Sequence, residues 1–87
     1  MHQLQFSPEA WVANRSMFLF RLRDAAGVQW TFCVHQETLD ELEPGKDRQA
    51  TFNHFRADIY AAAYRLVTAG DPTRQHAITT SNLQRAA

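Results

Sequence analysis

Cys33 and His35 stand two residues apart. On an extended strand that spacing puts a thiol and an imidazole on the same side. A thiolate–imidazole pair is a nucleophile's pattern. Glu37 follows, so Cys33, His35 and Glu37 offer donors of the kinds that hold zinc. Both chemistries fall short of a motif. No third group that would orient the imidazole is identifiable, and no second Cys or His lies at a typical ligand spacing. A lone cysteine in such a run reads as a small buried filler. His2, His54 and His76 are isolated and read as surface side chains. Glu37, Asp40, Glu41 and Glu43 crowd one short stretch. Carboxylates do acid–base work only in a cleft that shifts their pKa values, and this run reads as a solvated acidic face. Gly27, Gly45 and Gly70 are dispersed among turns, so no phosphate-cradling loop is present. The expectation is a chain with no catalytic residue, no cofactor and no metal.

A second pattern is physical rather than catalytic. Arg15, Met17, Leu19, Arg21 and Arg23 alternate along one stretch and share one face of a strand. The opposite face carries Phe18, Phe20 and Leu22. Asp24 to Gly27 forms a turn in which Gly27 takes positive φ, and Val28 to Val34 alternates in its turn, with Val28, Trp30, Phe32 and Val34 on the apolar side. Two alternating runs across a short glycine-bearing turn make an antiparallel hairpin. Its aromatic face needs a partner, and the stretch Gln49 to Ala69 supplies one. Phe52, Phe55, Ile59, Ala62, Ala63, Leu66 and Val67 recur at three- and four-residue steps, the stripe of a helix that buries one side. Thr51, Asp58, Arg65 and Thr68 fall on the wet side. Tyr60 and Tyr64 flank the stripe. Gly70 suits the left-handed position after a helix, and Asp71–Pro72 stops it. Arg56, beside the stripe, reads either as a snorkelling side chain or as half of a part-buried ion pair with Glu37 or Asp40.

The rest of the chain completes the frame. Leu4 to Phe6 is a short first strand interrupted at Ser7–Pro8–Glu9, and Trp11 is a lid on one edge of the core. Gln36 to Leu42 is a short helix with Leu39 and Leu42 inward and His35 as a weak cap. Ala77 to Thr80 is a last, short edge strand. Ser81 caps a terminal turn that holds Leu83, and Gln84 to Ala87 frays. The order β-β-β-α-α-β implies an α+β domain spanning 1–87: a small antiparallel sheet with two helices packed on one face.

Composition bounds the function. The chain has 87 residues, with 9 basic and 9 acidic side chains and no net charge. Nothing overall calls for a polyanion or a lipid surface. Residues 1–45 carry three arginines against six carboxylates, and residues 46–87 carry six cations against three. A single cysteine excludes an internal disulfide, and no apolar run approaches a membrane span. The first ten residues lack the pattern of a signal peptide. A cytoplasmic protein without a membrane segment is the expectation.

The pattern as a whole resembles a family of small bacterial domains of unknown function. The residues that carry the likeness are Leu4–Gln5–Phe6 with Trp11 nearby and the run Phe32 to Leu39 (FCVHQETL). Phe52, Arg56, Ile59 and Ala63 follow on the long helix, and Ile78 to Leu83 (ITTSNL) closes the chain. It departs from that pattern at His35 and Asn82. The resemblance implies a small α+β protein and no activity. The function expected is that of a non-enzymatic interaction module that self-associates, as a homodimer, through the sheet face bearing Arg15, Met17, Leu19, Arg21 and Arg23. The alternative is a nucleic-acid-binding accessory protein whose Arg15, Arg21 and Arg23 contact phosphates.

Overall fold

The computed structural model describes residues 5–83. His2, Leu4, residues 84–87 and the side chain of Thr68 lie outside the described residues. The elements are β1 (Gln5–Phe6), β2 (Ala10–Val12), a 3-10 turn (Ala13–Arg15), β3 (Met17–Arg23) and β4 (Gln29–His35). They continue with α1 (Gln36–Leu42), α2 (Arg48–Ala69), β5 (Gln75–Ala77) and α3 (Thr80–Leu83). The fold is α+β, a five-stranded mixed sheet with three helices.

The hairpin β3–β4 is the centre of the sheet. Leu22 faces Trp30, Phe20 faces Phe32 and Phe18 faces Val34. These six side chains are buried and form the floor of the core. Asp24 sets the turn. Its Oδ1 accepts from the amides of Ala26 and Val28, its Oδ2 accepts from the Trp30 indole, and Gly27 sits at φ +84°. Val28 therefore belongs to the turn and is exposed, rather than opening the apolar face of β4.

Helix α2 lies across this floor. Asp47 caps it by accepting from the amides of Gln49 and Ala50. Phe52, Ile59, Ala62 and Ala63 are fully buried, and Phe52 packs against Phe18 and Phe20 with ring centroids 4.8 and 6.2 Å apart. Thr51 is buried as well, against the sequence expectation, because α1 and its linker fold back over the first turn of α2 and the Glu43 carboxylate meets His54 at 2.8 Å. Gly70 also differs from expectation. Its φ is −110°, so no left-handed conformation demands glycine. Space does: a Cβ there would meet the Leu66 carbonyl oxygen at 2.7 Å and the His76 ring at 3.0 Å.

The last strand is β5, Gln75–Ala77, two residues earlier than the sequence pattern suggests, and it pairs with β4 in parallel. Two helices separate β4 from β5, and such a crossover returns the chain in the same direction. The sheet is consequently mixed rather than antiparallel. Ile78, just past β5, is fully buried. Thr80–Leu83 then turns into a short helix, held by Asn82, whose Oδ1 accepts from both the amide and the hydroxyl of Thr79. Thr79 and Asn82, rather than Ser81, make that cap.

The opposite edge holds a kink. Phe6 faces Leu22 and the Ser7 amide donates to the Arg21 carbonyl, yet Ala10 already faces Leu19. Pro8 and Glu9 therefore share the place opposite Phe20, a β-bulge. The Ser7 hydroxyl takes over the ladder by accepting from the Arg21 amide at 2.8 Å.

Candidate functional site: the open face of the sheet

Leu39 of α1, the buried stripe of α2 and Leu83 of α3 all pack with Phe18, Phe20 and Leu22, which leaves the opposite face of the sheet without a helix among the described residues. Cross-strand register arranges that face in four rows. Val12, Met17 and His35 form the first, and Ala10, Leu19, Cys33 and Ala77 the second. Ser7, Arg21, Thr31 and Gln75 form the third, and Gln5, Arg23 and Gln29 the fourth.

The first two rows are mainly apolar. Met17 is only 3% and Cys33 only 2% exposed, although neither belongs to the main core. Leu19 and Val12 are half-buried around them. The last two rows are polar, with Arg21 and Arg23 fully on the surface. Arg15 is absent from the grid. It ends the 3-10 turn, exposed, after which Ser16 adopts a left-handed conformation at φ +52° and redirects the chain into β3. The five-residue face anticipated from alternation thus consists of half-buried Leu19, exposed Arg21 and Arg23, Met17 sealed beneath, and Arg15 beyond the far end of β3, whose seven residues span about 20 Å.

Cys33 and His35 do share this face, with Sγ and Nε2 3.7 Å apart. The Gln75 amide donates to the same sulfur at 3.5 Å. Burial pushes the Cys33 thiol pKa up. A nucleophilic cysteine needs the reverse shift, so the pair reads as packing. Glu37 is exposed in the first turn of α1. Among the described residues no three His, Cys, Asp or Glu side chains converge as metal ligands would.

Arg56 does form a part-buried ion pair, but its partner is Glu9 rather than Glu37 or Asp40. Nη1 donates to Oε1 at 2.6 Å and Nη2 to Oε2 at 2.8 Å, a fork-on-fork contact. The bulge makes this possible, because it turns Glu9 to the helix side, where normal alternation from β1 would have placed a residue on the open face. Gln49 donates to Glu9, and the Asn53 side-chain oxygen accepts from Arg56. Hydrogen bonding to Arg56 holds the Glu9 carboxyl at about 2, and Glu9 in turn raises the Arg56 pKa. Asp40 is occupied by Gln36 on its own helix. Nearby, Trp11 packs edge-on against Phe18 and carries the Arg48 guanidinium 3.9 Å above its ring. Arg48 thus occupies one face of the indole, and a base could not stack there without displacing it.

This fold occurs in another protein. The structure is similar to that of a protein of unknown function of the DUF1488 family from Shewanella loihica PV-4. The two superpose with a TM-score of 0.68 and 22% identity, over 86% of this chain and 90% of that one. No family model matches the chain, and no curated protein matches it in sequence. The likeness establishes the shared architecture and agrees with the resemblance to small bacterial domains of unknown function. Among the described residues no helix is long and apolar enough to cross a membrane.

Proposed function

We propose that the chain is a non-enzymatic interaction module, cytoplasmic in keeping with its single cysteine, that pairs with a second copy of itself through the apolar half of the open face. The observation that supports this is the pair Leu19 and Val12, apolar side chains left only half-buried on that face beside exposed Ala10. Met17 and Cys33, themselves closed to solvent, make the apolar base beneath them. A sheet face bathed in water carries polar side chains at such positions. An apolar centre with a polar margin is the composition of an interface core and rim. In a two-fold pairing the same rows would meet themselves, leaving Arg21 and Arg23 at the margin of the contact. The absolute mass in solution, measured by light scattering over a range of concentrations, tests this. Wild-type protein should approach twice its 10.0 kDa, and Leu19→Glu should return it to a monomer with an unchanged circular dichroism spectrum. A wild-type mass of one chain at every concentration would overturn the reading.

A second reading, nucleic-acid binding, draws on one observation. Arg21 and Arg23 have no ion-pair partner among the described residues. Arg15 cannot extend them into a continuous track, since it stands at the other end of β3.

A further inference from the structure

The polar half of the open face holds a depression of about 420 Å³ lined by Gln5, Phe6, Ser7, Arg21, Arg23 and Gln29. We propose that this depression binds a phosphate monoester of a small molecule through Arg21 and Arg23. The inference is independent of self-association, which uses the other two rows.

The argument rests on charge and register. Arg21 and Arg23 are two apart on β3, so both guanidiniums rise from the same side about 7 Å apart at their origins. Long side chains at that spacing can close on one anion. Their cross-strand neighbours are Ser7 and Thr31 for Arg21, and Gln5 and Gln29 for Arg23. Every one of these is uncharged and able to donate or accept. Among the described residues no carboxylate lines the groove.

That absence has a structural cause. Two acidic residues lie close in the chain, and each is committed elsewhere. Asp24 accepts from the Trp30 indole and from two turn amides. Glu9 has been turned to the other face by the bulge, where it is forked onto Arg56. Among the described residues neither of these two cations has an ion-pair partner. Paired cations without a counter-charge disfavour each other, and an anion between them relieves that repulsion. Guanidinium forks match tetrahedral phosphate oxygens, and the amides of Gln5 and Gln29 add donors from either side. The depression is larger than one phosphate group, leaving room for a small organic body. Its extent also favours a single phosphate over a nucleic-acid backbone: two cations in one place offer no second phosphate site along a strand.

The test is titration of the isotope-labelled full chain with inorganic phosphate, followed by amide and arginine side-chain resonances, at constant ionic strength maintained with chloride. Saturable shifts confined to the backbone amides and side chains of residues 5, 7, 21, 23, 29 and 31 are expected in the millimolar range, with acetate binding more weakly. Arg21→Gln and Arg23→Gln should each weaken binding about tenfold, because each removes a charge-assisted contact. Both residues are exposed, so the fold should survive, and the unchanged core methyl spectrum would verify it. Linear shifts that chloride reproduces, or Gln variants that bind as wild type does, would overturn the proposal. Affinity for a single-stranded oligonucleotide that grows with its length and falls steeply with salt would also overturn it, in favour of nucleic acid.

Discussion

Replacing Glu9 by Gln removes the negative half of the Arg56 pair and keeps the size of the side chain. In the folded protein the guanidinium holds the Glu9 carboxyl at about 2, against an ordinary value of 4.5. A depression of that size corresponds to roughly 3 kcal/mol. The Arg56 side chain is 36% exposed, so water screens part of the attraction, while Glu9 at 11% is well covered. A loss of about 2 kcal/mol in Glu9→Gln is therefore expected, in the range of a charge-assisted forked contact. For a chain of this length that lowers the melting temperature by about 10 °C. The pH dependence distinguishes this cause from simple loss of packing. The carboxyl is depressed on folding, so its contribution is complete above 4.5 and is lost as pH falls through about 2. Urea unfolding of both proteins should show curves separated by about 2 kcal/mol at neutral pH that converge as the solution is acidified across that window. Curves that stay parallel there would refute the ionic account, because a neutral hydrogen bond or a packing defect does not titrate with Glu9.

Two further outcomes follow from buried groups on α2 and β4. The Thr51 hydroxyl is buried without a hydrogen-bond partner, although it lies close enough to the Glu43 carboxylate to help lower that group's pKa. Thr51→Val should raise stability by about 1 kcal/mol in thermal unfolding, and a loss would show that the hydroxyl is satisfied after all. The Cys33 thiol is sealed and its pKa is raised, so it should react with a thiol reagent only at the rate of unfolding. Fast reaction in native buffer would mean that the open face is far looser than its packing indicates.

Periodicity made most of this fold legible. The alternation of Phe18, Phe20 and Leu22 against Trp30, Phe32 and Val34 placed the hairpin, and the three- and four-residue steps from Phe52 to Val67 placed α2 within one residue of its start. The short helix Gln36–Leu42 matched end for end, because Leu39 and the acidic first turn mark it locally. Features that depend on a distant partner were not legible. The direction of β5 follows from the crossover path of two helices, not from the residues Gln75–Ala77. Gly70 looked like a left-handed cap, whereas its role is set by His76 and the Leu66 carbonyl. Thr51 looked wet because its burial comes from a linker folding back, which helical spacing does not encode.

The candidate site divides along the same line. Alternation correctly put Met17, Leu19, Arg21 and Arg23 on one face, but parity assigns a side and says nothing about depth. Met17 and Cys33 are closed to solvent, and their cross-strand neighbours Val12 and Ala77 are in place only once β2 and β5 have found their registers. Arg15 obeyed the parity and still left the face, because Ser16 breaks the strand one residue after it. The partner of Arg56 was missed for a related reason. Counting from Phe6 puts Pro8 on the helix side and sends Glu9 to the open face. The doubled occupancy opposite Phe20 cancels that count and delivers Glu9 to Arg56. One inserted residue thus does two things at once. It fastens the edge strand to α2 with an ion pair, and it takes away a carboxylate that the unbulged register would have placed opposite Leu19, beside Arg21 on the open face. The same bulge that closes one side of the sheet leaves the other side charged.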